Sequence, residues 1–158
     1  MDINADYLAP CGLYCGVCAI LKATREGNQK FKELLVKVYK GKIAGAENLA
    51  PEDIHCSGCM SEAPFFYCRE CDIKNCTQSK GYTGCHECGD FPCVLIESFP
   101  MPVGKRVMLR AIPYWREVGT EKYVQDEEAR YICPNCGHHL FRGAKRCNSC
   151  KTEVDLDE

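Results

Sequence analysis

The sequence predicts a small α+β protein stapled by metal. It reads as a cysteine-rich zinc-binding core with several short helices and few short strands, followed by a C-terminal zinc ribbon. Three observations predict this. Fifteen of the 158 residues are cysteine. Most stand in pairs separated by two residues, the spacing at which two thiolates reach one metal ion from a single tight turn. Leu, Ile, Val and Phe are too sparse to fill a core of this length, so metal–thiolate bonds are expected to replace part of the hydrophobic burial. A structural zinc supplies about 10–16 kcal/mol of apparent binding free energy, against the roughly 5–15 kcal/mol that separates a folded domain from its unfolded chain. The fold is therefore expected to depend on metal.

The elements follow in order. Cys11, Cys15 and Cys18 form C-x3-C-x2-C, and the chain after Cys18 (AILKA) reads as a helix. A helix N-terminus suits thiolates, because its free N–H groups and positive dipole end stabilise negative sulfur. Gly27-Asn28 breaks that helix, with Asn28 as N-cap of the next. Phe31, Leu34, Leu35, Val38 and Tyr39 then mark one face of an amphipathic helix to about Lys42. Residues 43–55 read as loop or short helix. Residues 56–93 are turn-rich, with Gly58, Gly81, Gly84 and Gly89 beside the cysteines, and predict a metal-folded loop with a short hairpin. Val94–Phe99 predicts a short helix. Val107, Met108, Ala111, Ile112, Trp115 and Val118 recur at helical spacing, Trp115 as a core anchor, with Pro113 expected to split two short helices. Gly119 reads as a stop and Thr120 as the N-cap of a helix to about Arg130. The domain boundaries expected are 1–99 for the cysteine-rich metal-binding domain and 100–130 for a helical connector packing on it. The zinc ribbon follows at 131–152 and an acidic tail at 153–158.

Cys133 and Cys136, then Cys147 and Cys150, make the two knuckles of the ribbon and a closed four-thiolate site. His138 and His139 just beyond the first knuckle are expected outside the ligand set. The middle block holds Cys56, Cys59, Cys68, Cys71, Cys76, Cys85, Cys88 and Cys93, enough for two more such sites. Their pairing is open between sequential filling and an interleaved arrangement. Cys68 is the member read as spare, and His55 and His86 as outer-sphere rather than ligating residues. The triple Cys11, Cys15, Cys18 needs a fourth ligand, with Cys93 foremost. Three or four Zn2+ per chain follow. The alternative for the triple is an iron–sulfur cluster, since C-x3-C-x2-C is also the spacing of radical-SAM cluster ligands. The chain lacks the run of alternating strands and helices that a radical-SAM barrel requires.

The formal net charge of −2 gives no global field toward nucleic acid or membrane. The N-terminal MDINADYLAP has neither a basic n-region nor an apolar h-region, and no apolar run approaches the ~20 residues that span a bilayer. The expected compartment is the cytoplasm, where thiols stay reduced. The odd cysteine count and regular CxxC pairs argue against a disulfide framework.

The string CGLYCGVC, then CSGC, CRECDIKNC and GYTGCHECGDFPC, resembles an uncharacterised prokaryotic family catalogued as a domain of unknown function, over about residues 9–97. The segment WREVGTEKYVQDEEARYICPNCG resembles an extension of that domain ending in a zinc ribbon. The resemblance implies a small metal-binding protein of bacteria and archaea. It implies Cys11, Cys15, Cys18, Cys56, Cys59, Cys71, Cys76, Cys85, Cys88 and Cys93 as signature ligands. It implies no activity.

No Ser/His/Asp spacing, phosphate loop, HExxH or paired-carboxylate motif stands out. The expected function is a multi-zinc, non-catalytic interaction module with a protein partner. The alternative is an iron–sulfur or open-site metal redox protein or enzyme centred on Cys11, Cys15 and Cys18. Asp6, Tyr7, Tyr14, His55, His86 and Asp90 are the polar residues nearest in sequence to that site. On and beside the ribbon, Arg130, Tyr131, Phe141, Arg142, Lys145, Arg146 and Lys151 interleave charge with aromatics, a pattern that binds nucleic acid by phosphate contact and stacking. Glu153, Asp155, Asp157 and Glu158 follow at once and counter it, so a solvated ribbon surface is the favoured reading.

Overall fold

A computed structural model describes residues 2–157. Glu158, the last residue of the acidic tail, lies outside them. Seven α-helices are described: α1 Ala19–Glu26, α2 Gln29–Tyr39, α3 Phe66–Arg69, α4 Asp72–Ser79, α5 Val94–Glu97, α6 Pro102–Val118 and α7 Thr120–Arg130. Short 3-10 turns sit at Ala5–Tyr7, Cys15–Val17, Pro51–Asp53 and Cys85–Glu87. The only β pairing among the described residues is two isolated antiparallel bridges, Ile132 with His139 and Arg146 with Glu153. The fold is mostly helical with few strands; the β part of the expected α+β class is limited to these two bridges, each flanked by cross-strand hydrogen bonds such as Leu140 N–H to Tyr131 O and Val154 N–H to Lys145 O.

The first two helices form as their caps dictate. Gly27 closes α1 in the left-handed region at φ 59°, and the Asn28 side chain accepts from the Phe31 N–H at 3.1 Å to open α2. The face of α2 is narrower than its spacing suggests. Leu35 is buried and Phe31, Val36 and Tyr39 pack beside it, while Leu34 is 55% exposed.

Three expectations fail for identifiable reasons. Residues 56–93 contain α3 and α4 and no hairpin. The buried residues of α4 are Ile73, Lys74 and Thr77, so its inward face carries one apolar residue and gives no hydrophobic period. Pro113 does not split α6. It removes one N–H from the ladder, while Val107, Met108, Ala111, Ile112 and Trp115, each at most 1% exposed, hold one continuous buried stripe. Thr120 is the first residue of α7, with Gly119 in the cap position. Its hydroxyl instead accepts from Trp115 Nε1 at 2.9 Å.

The largest core gathers α6 and α7 onto the N-terminal segment. Tyr14 and Val17 pack with Ile73, Ile96, Met108, Ile112, Trp115, Tyr123 and Tyr131. His86, Trp115 and Tyr123 form a three-ring stack, with centroids 3.8 and 4.8 Å apart. Tyr123 donates its hydroxyl to Gly12 O at 2.7 Å and Tyr14 donates to Glu128 at 2.8 Å. The buried Glu127 carboxylate pairs with Arg110 through both oxygens. A second core lies between α1, α2 and the loop to Cys56, around Ala23, Leu35, Ala46, Ile54 and Phe65.

The acidic tail is partly built in. Asp157 is 7% exposed, accepts from the Gly143 N–H at 2.7 Å and takes the Tyr131 hydroxyl. Arg130 reaches Leu156 O.

Gly58 shows how tightly the knuckle region is folded against the N-terminus. Its φ is 119°, and a Cβ there would lie 2.6 Å from Asp6 O, the carbonyl that accepts the Met60 N–H at 3.0 Å. Gly81 also has positive φ, 72°, but a Cβ there would meet nothing. Backbone strain of this kind costs about 1–3 kcal/mol, so denaturant titration should show Gly81→Ala losing an amount in that range and Gly58→Ala losing clearly more. Equal losses would mean that the contact with Asp6 is not as described.

Candidate metal centre

The ribbon is built from two matched turns. In the first, the Gly137 N–H returns to Cys133 O at 3.0 Å; in the second, the Lys151 N–H returns to Cys147 O at 2.9 Å. The residue after each knuckle adopts left-handed φ, 77° at Gly137 and 67° at Lys151. Gly takes this conformation freely. Lys151 is the only described non-glycine residue that does so, and its Nζ is tied to Asn148 O at 2.8 Å. The turns aim four sulfurs at one point. Cys133 and Cys150 Sγ are 3.7 Å apart, and Cys136 and Cys147 Sγ 3.6 Å. A tetrahedron with Zn–S bonds of about 2.3 Å has edges of about 3.8 Å. The donor set thus fits a single four-coordinate ion with no position left open, and all four sulfurs lie within 4.8 Å of one another.

The electrostatics of the ribbon favour thiolates on its second knuckle. The Cys150 thiol is pulled down to about 5, first by the Asn135 side chain, then by the Thr152 hydroxyl and N–H. Cys147 is also lowered, chiefly by the Cys150 N–H. His138 has a buried Nε2 with no hydrogen-bond partner.

The other eleven cysteines fall into two neighbourhoods. Cys76, Cys85, Cys88 and Cys93 line a cavity of about 40 Å3 together with Lys80 and Asp90. Lys80 Nζ lies 3.5 Å from Cys88 Sγ and 3.4 Å from Asp90. Burial, then the neighbouring Cys93 and Cys88, pushes the Cys85 thiol up to about 12. The second neighbourhood packs Cys11, Cys15, Cys18, Cys59 and Cys68 around Ala9, Leu21 and Met60. Cys56 joins it beside Cys18 and Cys59. Cys71 stands between the two, within the field of both Cys11 and Cys85. The triple is thus set against Cys59 and Cys68, while Cys93 lies with Cys76, Cys85 and Cys88. Among the described residues, the ribbon four are the one group whose donor atoms all approach within 4.8 Å. All fifteen cysteines are free of disulfides.

The polar residues singled out by sequence have other engagements. His86 stacks on Trp115, and burial lowers its pKa. The Tyr14 hydroxyl is held by Glu128, and burial, then that carboxylate, raises its pKa. The aromatics of the ribbon are not presented for stacking on bases: Tyr131 is 1% exposed and Phe141 packs on Phe31 with centroids 5.0 Å apart. Arg142, read as part of a basic surface, turns inward, and Lys74 is a buried cation that no sequence pattern indicated.

Cys150 supplies a pH test. Its depressed pKa contributes stability that is present above the thiol's unfolded value near 8.5 and lost as pH falls through about 5. Thr152→Val removes one of the groups holding the thiolate, so the pH midpoint of metal release from the ribbon should move upward. An unchanged midpoint would show that Thr152 does not stabilise the thiolate.

Residues 7–98, more than half of the chain, match the profile of a family described as "Protein of unknown function (DUF3795)". Comparison with curated proteins and with solved structures finds no match. The ribbon and α6–α7 lie outside the matched span, and the cysteines of both inner neighbourhoods lie within it. The chain belongs to the DUF3795 family of proteins of unknown function.

Proposed function

We propose that this protein is a multi-zinc thiolate scaffold that acts by binding a protein partner rather than by catalysis. The observation that carries the reading is the ribbon, where four thiols stand at the edge lengths of a zinc tetrahedron. A site with four protein ligands has no place for substrate, which is the coordination of structural rather than catalytic zinc. The inner neighbourhoods extend the reading: four cysteines line one small cavity and six gather near the N-terminus, so three sites per chain are proposed. The Tyr14 hydroxyl is taken up by Glu128, which supports a structural use of that side chain. The packing of Tyr131 and Phe141 inside the chain counts against base stacking as the mode of partner binding. No helix is long and apolar enough to cross a membrane, and a reducing, cytoplasmic setting is proposed because so many free thiols require one.

Metal analysis of the anaerobically purified protein tests this. Zinc above one equivalent per chain is expected, with the pair Cys136→Ser and Cys150→Ser lowering the total by about one equivalent, since four thiolates bind one ion. Protein that folds and persists with no bound metal would overturn the proposal.

A further inference from the structure

Two cations point into the N-terminal cysteine neighbourhood, one from a buried position and one from a part-buried position. Lys74, 9% exposed on α4, donates its Nζ to Cys59 O at 2.9 Å. Arg142 arrives from the hairpin between the ribbon's two knuckles. Its N–H donates to Val17 O at 2.8 Å and its Nη1 to Tyr14 O at 3.2 Å. These carbonyls flank Cys15 and Cys18, whose sulfurs lie within the guanidinium's field. Neither cation forms an ion pair with a carboxylate among the described residues. Asp157, the buried acid beside the same hairpin, is engaged by the Tyr131 hydroxyl and the Gly143 N–H.

A buried cation is strongly unfavourable unless an anion answers it. The groups placed to answer these two are thiols. Neutral thiols carry no charge, and bare thiolates crowded together repel. A divalent ion held by four thiolates is a dianion, and so is an oxidised 4Fe–4S cluster held by four. Either would balance one lysine and one arginine. The N–H groups are already in place: the Cys59 N–H donates to Cys15 Sγ at 3.3 Å and the Gly58 N–H to Cys56 Sγ at 3.2 Å.

We infer that Cys11, Cys15, Cys18, Cys56, Cys59 and Cys68 supply the four thiolates of a second, anionic metal centre, and that Lys74 and Arg142 are its charge-balancing residues. This deepens the multi-metal reading above and rests on it. Arg142 belongs to the ribbon, so the ribbon both holds its own ion and covers this centre.

The test uses the full chain, purified anaerobically, with zinc, iron and acid-labile sulfide counted and metal loss to a chelator timed. Cys15→Ser with Cys59→Ser should remove the inner metal and leave the ribbon's. Arg142→Met and Lys74→Met should each keep the ribbon metal and release the inner metal about tenfold faster, the usual effect of losing an outer partner. Arg142→Lys should restore slow release, which keeps the test valid even if the cysteine variant does not fold. Inner zinc without sulfide identifies a mononuclear site; iron with matching sulfide identifies a cluster. Wild-type metal content in the cysteine variant, or wild-type release in both cation variants, would overturn the inference. Metal in the ribbon and at Cys76, Cys85, Cys88 and Cys93 with none at these six cysteines would sink this inference only, and protein holding the ribbon metal alone or none would sink the multi-metal reading with it.

Discussion

The segment from Asp6 to Cys18 is the constraint on which the rest of the chain is hung. It receives hydrogen bonds from the first knuckle loop, the turn at Cys85, α7 and the ribbon. Met60 N–H goes to Asp6 O and Cys85 N–H to Pro10 O, while the Tyr123 hydroxyl goes to Gly12 O. Arg142 binds Tyr14 O and Val17 O, and Tyr14 in turn donates to Glu128. These contacts span up to 128 residues of sequence. A short irregular segment cannot hold such a position by its own backbone pairing. It does so because Ala9, Tyr14, Cys15 and Val17 are buried and because its three cysteines share a neighbourhood with Cys56, Cys59 and Cys68. Loop-closure entropy on this scale must be offset by strong contacts, and the thiolate–metal bonds proposed for these cysteines would supply them.

Helices α6 and α7 serve the same segment from the other side. Their shared stripe and the Trp115–Tyr123 stack present a flat aromatic wall. The N-terminal turn lies against it, with Tyr14 edge-on to Tyr123. The Glu127–Arg110 pair is buried at the carboxylate and partly open at the guanidinium. The buried carboxylate is compensated by two hydrogen bonds from the guanidinium, a weakly hydrated cation that fits its fork geometry.

How much of this was legible in the sequence depends on the kind of signal. Helices with a cap and an apolar stripe were readable: Gly27-Asn28 marks the joint between α1 and α2, and the stripe to Trp115 marks α6. Helix α4 was not, because its inward face is Ile73, Lys74 and Thr77. Strands were expected in the ribbon because knuckles commonly join strands, and here that pairing is reduced to one bridge per hairpin beside the turns that place the sulfurs. The ribbon's four ligands were readable because both pairs are local and share one spacing. The grouping of the inner cysteines was not, since it depends on which distant segments the fold brings together. Arg142 gives the clearest case. In sequence it is one basic residue among several, and only the hairpin's docking on Val17 turns it inward.

The central claim is that metal–thiolate bonds, rather than apolar burial alone, hold the N-terminal segment in the core. The most direct measurement is near-ultraviolet circular dichroism of Trp115 and its stacked partners during metal removal by a chelator under reducing conditions. The account predicts that the tertiary signal collapses as metal leaves and returns when metal is restored. An unchanged signal in fully metal-free protein would contradict it.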